Sequence, residues 1–383
     1  MSSVYRTALA ILAILLYCAA VLLVTGVTMF CGSAVAQTES PPVHAVTIAG
    51  GLNHPWELAF LPGGDLLVTE RNGGLRIVHA GILEATAIAG VPARFAEGDG
   101  GLLGLVLHPE FARNGLLYIC FTVGTLEANA TSVIRARLVG RMLQDVTTVF
   151  TAAPLKRDSM HFGCRLMFGS DQKLLVTLGD GRWYPYQAQA LDNDFGKVVR
   201  LNDDGTVPAD NPFVRRWRAR PEIYTYGHRN IQGIALNPLT GEVWIHEHGP
   251  KGGDEVNILH AGANYGWPMI SYGIDYSGQV VSERTAAPGM EQPVVYWTPS
   301  IAPSGMAFYS GTRIPQWRGD LFVGALAGHH LRRLHFDGTV ITAQEMLLRD
   351  LGERIRAVCE GPDGYLYVTT DSAAGRVLKL EPP

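Results

Sequence analysis

Six times along this 383-residue chain, a turn rich in glycine and aspartate runs into three or four apolar or β-branched residues. The copies are GGDLLVTE (Gly63 to Glu70), NGLLYICF (Asn114 to Phe121), DQKLLVTL (Asp171 to Leu178), TGEVWIHE (Thr240 to Glu247), RGDLFVGA (Arg318 to Ala325) and DGYLYVTT (Asp363 to Thr370). Each reads as a strand entered through a tight turn. Aligned on Val68, Ile119, Val176, Ile245, Val323 and Val368, neighbouring copies lie 45 to 78 residues apart. That interval accommodates a four-stranded antiparallel blade with loops of varying length, so the expected fold is all-β, a six-bladed propeller. A pair of β-sandwiches is the alternative. The 44 glycines, many beside apolar runs, favour the propeller and its many tight turns. No long amphipathic helical pattern follows residue 37.

The N-terminal stretch stands apart. Arg6 precedes an apolar run from Ala8 to Phe30, followed by Ser33-Ala-Val-Ala36-Gln37. This is the pattern of an export signal cut after Ala36, with an uncleaved membrane anchor as the alternative. The expected organisation is an export signal over 1–36, a short lead over 37–50 and a single propeller over 51–383. The 31 basic and 35 acidic residues give a small negative net charge. With no basic run evident, nucleic acid is not the expected partner. Beyond the export segment the cysteines are Cys120, Cys164 and Cys359, an odd number without metal-type spacing. Neither a disulfide framework nor a zinc site is expected from them.

Loops at one end of a propeller channel come from several blades and converge on its axis, so chemistry is sought in polar residues next to the strands. In YGHRNIQG, Arg229 offers a planar fork of donors and Asn230 and Gln232 add amides, a set suited to a flat, oxygen-rich anion. In GERIRAV, Arg354 and Arg356 alternate and share one face of a strand. Around Glu247 to Trp267, a Gly249-Pro250 turn, Asp254, Glu255 and Tyr265 offer carboxylates and turn carbonyls of the kind hard cations take, without EF-hand spacing. His161, at a loop-to-strand entry in SMHFGCR, titrates nearest neutral pH and is a candidate general base.

Together GDGGLLGLVLHPEF, HFGCRLMF, GKVVRLNDDG, DNPF, YGHRNIQG, EHGPKGGDE, NYGWP and ERIRAV, in this order from about Gly51 to Lys379, resemble the soluble aldose sugar dehydrogenases that use pyrroloquinoline quinone (PQQ). The resemblance implies a six-bladed propeller. It also implies that aldose sugars are oxidised at C1 to lactones, with electrons passed to an acceptor outside the cytoplasm. By the same resemblance His161 is the catalytic base. Arg229, Asn230, Gln232, Arg354 and Arg356 meet the PQQ cofactor. Glu255, Tyr265 and the Gly249-Pro250 turn hold Ca2+, and Trp297 stands at the substrate mouth.

Two departures bear on that site. Asp99 in Gly98-Asp-Gly-Gly-Leu102 stands where the family usually has glutamine, which changes a donor into an acceptor and is expected to alter substrate preference or the basicity of His161. Ala327 stands where a family lysine reaches the cofactor, with His329, His330 and Arg332 nearby as possible replacements for its charge. A calcium-dependent lactonase and a non-catalytic binding propeller remain the alternatives. The oligomeric state, monomer or homodimer, is left open.

Overall fold

The computed structural model describes residues 42–338 and 340–382; the expected export signal lies outside the described residues. The first strand, β1 (His44–Leu52), precedes the first blade of β2 (Pro55–Phe60), β3 (Leu66–Glu70), β4 (Leu75–His79) and β5 (Ile82–Leu83). Blade two holds β6 (Leu102–Leu107), β7 (Leu116–Gly124), β8 (Asn129–Val139) and β9 (Met142–Thr151). Blade three holds β10 (Leu166–Phe168), β11 (Leu174–Thr177), β12 (Lys197–Leu201) and β13 (Ile223–Tyr226). Blade four holds β14 (Ile231–Leu236), β15 (Val243–Glu247), β16 (Asp254–Ile258) and β17 (Val295–Trp297). Blade five is β18 (Pro303–Phe308), β19 (Leu321–Ala325), β20 (His330–Asp337) and β21 (Val340–Leu347). Blade six is β22 (Ile355–Glu360), β23 (Leu366–Thr370) and β24 (Gly375–Glu381), completed by β1.

All six sheets are antiparallel, and every echo in the sequence is the second strand of its blade. A second strand is paired on both edges and covered on both faces, so it selects a continuous apolar run rather than an alternating one. Val68, Ile119, Val176, Ile245, Val323 and Val368 are accordingly all fully buried. The first strands, β2, β6, β10, β14, β18 and β22, each touch the first strand of the next blade and close a ring. Close approach there needs a missing side chain. A Cβ on Gly104 of β6 would lie 2.2 Å from the carbonyl oxygen of Cys164, at the entry to blade three.

One boundary and one pairing differ from the sequence reading. The lead expected over 37–50 contains most of β1, whose residues pair with β24 from His44↔Glu381 to Leu52↔Gly375. Propeller strands therefore begin at His44. The cysteines also differ from expectation. Cys120 of β7 and Cys164 before β10 form a disulfide, and Cys359 is free. The paired residues are 44 apart in the chain. They meet only because blades two and three are neighbours, which spacing alone does not reveal.

Candidate active site

The site is built at the entries to the first strands. Asp99 precedes β6, His161 precedes β10, Arg229 and Asn230 precede β14 with Gln232 inside it, and Arg354 and Arg356 flank the start of β22. Residues from Asp99 to Arg356 thus meet because each blade starts its innermost strand at the same end of the channel. Asp99, His161, Arg229, Asn230, Gln232, Arg354 and Arg356 all line one cavity of about 200 Å³. Trp56 of β2 and Arg71, which follows β3, line it too.

His161 sits in a loop held in an unusual backbone. Asp158, His161 and Cys164 have φ of 83°, 54° and 81°, in the left-handed region that non-glycine residues seldom occupy. The strain is retained because the ring is fixed from behind. His161 Nδ1 lies 2.7 Å from Asp180 Oδ1, and Trp267 Nε1 donates to Asp180 Oδ2 at 2.8 Å. The Arg182 amide adds a third hydrogen bond to the same carboxylate at 2.8 Å. An ionised carboxylate only accepts, so Nδ1 carries the proton and Nε2 is left as the acceptor of the neutral ring. Burial alone would raise the Asp180 carboxyl, but the hydrogen bond from His161, the charge of Arg229 and the Arg182 amide hold it below its ordinary value.

The polar set of YGHRNIQG turns out to be cross-braced. Asn230 Oδ1 accepts the Gly163 amide at 3.1 Å and Gln232 Nε2 at 3.2 Å. Gln232 Oε1 accepts Arg356 Nη1 at 3.4 Å, joining blade four to blade six. Asp371 anchors that side, accepting Arg356 Nη2 at 3.0 Å and Arg354 Nη2 at 3.3 Å, with His54 Nδ1 at 2.8 Å. Among the described residues four guanidiniums line the cavity against the single carboxylate of Asp99. The buried Arg356 Nε finds no hydrogen-bond partner among the described residues, and neither does Arg71 Nε. An excess of buried cationic donors with orphaned N–H groups is an environment that wants a polyanion. A flat tricarboxylate such as PQQ fits it.

Asp371 also supplies a pH test. Burial would raise its carboxyl, but Arg356, the hydrogen bonds of His54 and Arg356, and Arg354 hold it well below the usual carboxylate range. A depressed carboxylate contributes stability that is present above its unfolded value and lost as pH falls through the folded one. In residues 37–383, Asp371→Asn is expected to cost about 3 kcal/mol at neutral pH. The gap to the parent should narrow below about pH 4, where the unfolded carboxylate begins to protonate. Urea midpoints measured from pH 7 to pH 3 would follow it.

The expected cation ligands converge only in part. Glu255 and Glu247 are register partners on β16 and β15 and line a small cavity with Gly249 and Tyr265. Burial first, and the neighbouring Glu247 second, push the Glu255 carboxyl up to about 8. Two carboxylates sharing a buried cavity in this way fit a hard cation. The Tyr265 hydroxyl is not a free donor to it, since it donates to the Ile258 carbonyl at 2.6 Å and accepts the His260 amide at 2.8 Å. Gly249 presents its carbonyl to Arg229 Nη1 at 2.8 Å, and Pro250 borders the outer cleft. Among the described residues no group of three or more His, Cys, Asp or Glu side chains converges, so the remaining ligands would be backbone oxygens.

Two sequence expectations do not fit. Trp297 lies in β17, buried in the packing between blades four and five with its Nε1 donating to Gln344 at 3.0 Å, and it lines neither cavity. An aromatic beside turn residues looks the same in sequence whether it faces in or out. His329, His330 and Arg332 do not line the inner cavity, and Leu326 takes the place facing it. The additional guanidinium there belongs to Arg71. Sequence reading also missed Asp180, directly after the third echo, and Trp267, which stands in a quoted motif without an assigned role.

Above the inner cavity opens a cleft of about 600 Å³. His161, Asp180 and Arg229 form its floor, and Trp183, Tyr186, Trp267 and Tyr276 are its aromatic walls. Aromatic faces beside polar groups suit the mixed surface of a sugar ring.

Comparison with known proteins agrees with this geometry. The family model described as Glucose / Sorbosone dehydrogenase matches residues 52–379. Aldose sugar dehydrogenase YliI of Escherichia coli is 42% identical, the alignment covering 93% of this chain and 97% of the relative. Quinoprotein glucose dehydrogenase B of Acinetobacter calcoaceticus is 29% identical over 90% of this chain and 88% of its own. The solved PQQ-bound form of an aldose sugar dehydrogenase from Streptomyces coelicolor superposes with a TM-score of 0.73 at 30% identity, covering 89% of this chain and 99% of that one. With the ring and the sequence in agreement over residues 52–379, the chain belongs to the glucose/sorbosone dehydrogenase family.

Proposed function

We propose that this protein is an exported, PQQ-dependent dehydrogenase that oxidises aldose sugars at C1 and passes the electrons to an external acceptor. The observation that carries the reading is the meeting of four guanidiniums in one cavity with His161, whose Nε2 is left as the basic nitrogen by Asp180. When bound, PQQ would supply the hydride acceptor and an adjoining Ca2+ Lewis-acid polarisation. Arg229, Arg354 and Arg356 would meet its carboxylates, with Asn230 and Gln232 beside them, while Glu255 and the Gly249-Pro250 turn would serve the cation. His161 Nε2 takes the C1 hydroxyl proton. Asp180 stabilises the imidazolium so formed and Trp267 fixes Asp180. Loss of that proton and of hydride from C1 turns the ring hemiacetal into a lactone. The aromatic cleft holds the sugar and excludes water from its apolar face.

The test is dye-linked oxidation of several aldoses by residues 37–383, with and without added PQQ and Ca2+. Activity requiring the added cofactor supports the reading. No activity and no absorbance change on adding PQQ would sink it. Arg356→Gln is expected to weaken PQQ binding by about 10- to 100-fold, the worth of one buried charge-assisted hydrogen bond. A titration followed by cofactor absorbance measures this without turnover.

Asp99 accepts the His161 amide at 3.1 Å and faces the same cavity. We assign it an influence on substrate choice or on the pH profile. Asp99→Gln should shift one or the other, and identical profiles for variant and parent would refute the assignment.

A further inference from the structure

The loop between β12 and β13 carries Arg215-Arg216-Trp217-Arg218-Ala219-Arg220. This is a short basic run that the overall charge balance concealed. Arg215, Arg216, Trp217 and Arg218 are all exposed, Trp217 to 79%. Among the described residues none of these three arginines pairs with a carboxylate. Four acids around the loop are already taken. Asp171 and Asp210 pair with Arg200, while Asp194 and Glu222 pair with Arg220. The tip holds three arginines without an ion-pair partner among the described residues, in a chain of net charge −4.

The tip is also held firmly from below. Asn211 is buried and donates to the carbonyls of Arg200 at 2.9 Å and Pro221 at 3.0 Å. Phe213 is buried edge-on against Tyr226. Turn hydrogen bonds from the Arg216 amide to Phe213 and from the Ala219 amide to Arg216 shape the tip itself. Arg218 has φ of 62°, a left-handed conformation that an ordinary side chain resists, and its guanidinium lies 4.1 Å over the Trp217 ring. A strained tip on a rigid base, presenting an exposed indole among cations, is a surface feature that calls for a function.

We infer that this loop docks the protein on an anionic phospholipid surface. Trp217 would enter the headgroup layer while Arg215, Arg216 and Arg218 pair with phosphates. An indole sits well at the boundary of lipid and water, and clustered arginines are drawn to anionic headgroups. A protein partner fits less well. A specific protein interface covers about 800 Å² on each side around pocketed anchors, whereas here a single indole projects from one turn.

Residues 37–383 are suitable for the test, because the propeller ring is closed entirely within residues 44–381. Sedimentation with vesicles is measured at an ionic strength of about 0.01 M, where charge acts over about 30 Å. The protein should bind vesicles of mixed phosphatidylglycerol and phosphatidylcholine, and not phosphatidylcholine alone. The triple variant Arg215→Gln, Arg216→Gln, Arg218→Asn should partition on the order of 100-fold less, each arginine contributing roughly fivefold. Asparagine is chosen at 218 because it tolerates left-handed backbone. Subtracting the Trp217→Phe emission from the parent emission should reveal an indole that shifts to shorter wavelength on vesicles. An unchanged thermal midpoint in the variants controls for folding. No partition of the parent, or equal partition of parent and triple variant, overturns the inference. So does binding to duplex DNA or polyglutamate without binding to vesicles, which would assign the tip to a polyanion or an acidic protein.

Discussion

Replacing His161 by alanine is expected to lower the turnover of the PQQ-loaded protein by at least about 10² to 10⁴-fold, the usual contribution of a positioned general base. Cofactor binding should stay close to that of the parent, because the anion is met by guanidiniums on blades one, four and six rather than by the imidazole. The two readouts must separate. A variant that loses PQQ binding in an absorbance titration along with its turnover would show His161 to be structural. Asp180→Asn makes a companion test. An amide in that place can donate to Nδ1 as well as accept from it, so the ring is no longer confined to the tautomer with Nε2 free. Turnover should fall while cofactor affinity changes little.

The second large effect concerns stability. Removing the Cys120–Cys164 bond with alanine at both positions is expected to cost about 4 kcal/mol for a closed loop of this length. Both residues are fully buried in the packing of blades two and three, so the two sulfur atoms also leave a void. Urea unfolding of residues 37–383 would measure the loss. Thiol titration of the same protein after denaturation should count one thiol, Cys359, without reductant and three with it. Three thiols without reductant would mean that the bond does not form.

The order of blades was legible because of one strand in each. β3, β7, β11, β15, β19 and β23 are covered on both faces, so their sequences are short apolar runs that stand out from the turns before them. Outermost strands send no such signal. β9, MLQDVTTVFT, is exposed along most of its length and reads as polar loop. Much of the site was legible for a related reason. Its residues precede or open the innermost strands, and motif order placed them there. What escaped reading depends on distance between blades. Asp180 becomes the partner of His161 only when the β11–β12 loop lies beside the β10 entry, and Trp267 reaches it from 87 residues away. The disulfide and the inward turn of Trp297 escaped on the same grounds, since neither pairing nor direction is written into local composition.

Closure by β1 has a further consequence for how the chain reaches its final form. His44 pairs with Glu381, so the first strand of the ring finds its partner only after nearly the whole polypeptide is available. Five blades are local products, each assembled from consecutive strands, but the sixth joins the two ends. Contacts of such long sequence separation form late because their loop entropy must be met first. A chain threaded through a membrane in order from its N terminus would therefore wait, unsealed, until its last strand emerged. In that case the ring would be locked only on the far side, where an oxidising compartment could also set the bond between blades two and three. For an exported chain, completion of the fold would in this way be tied to completion of transit.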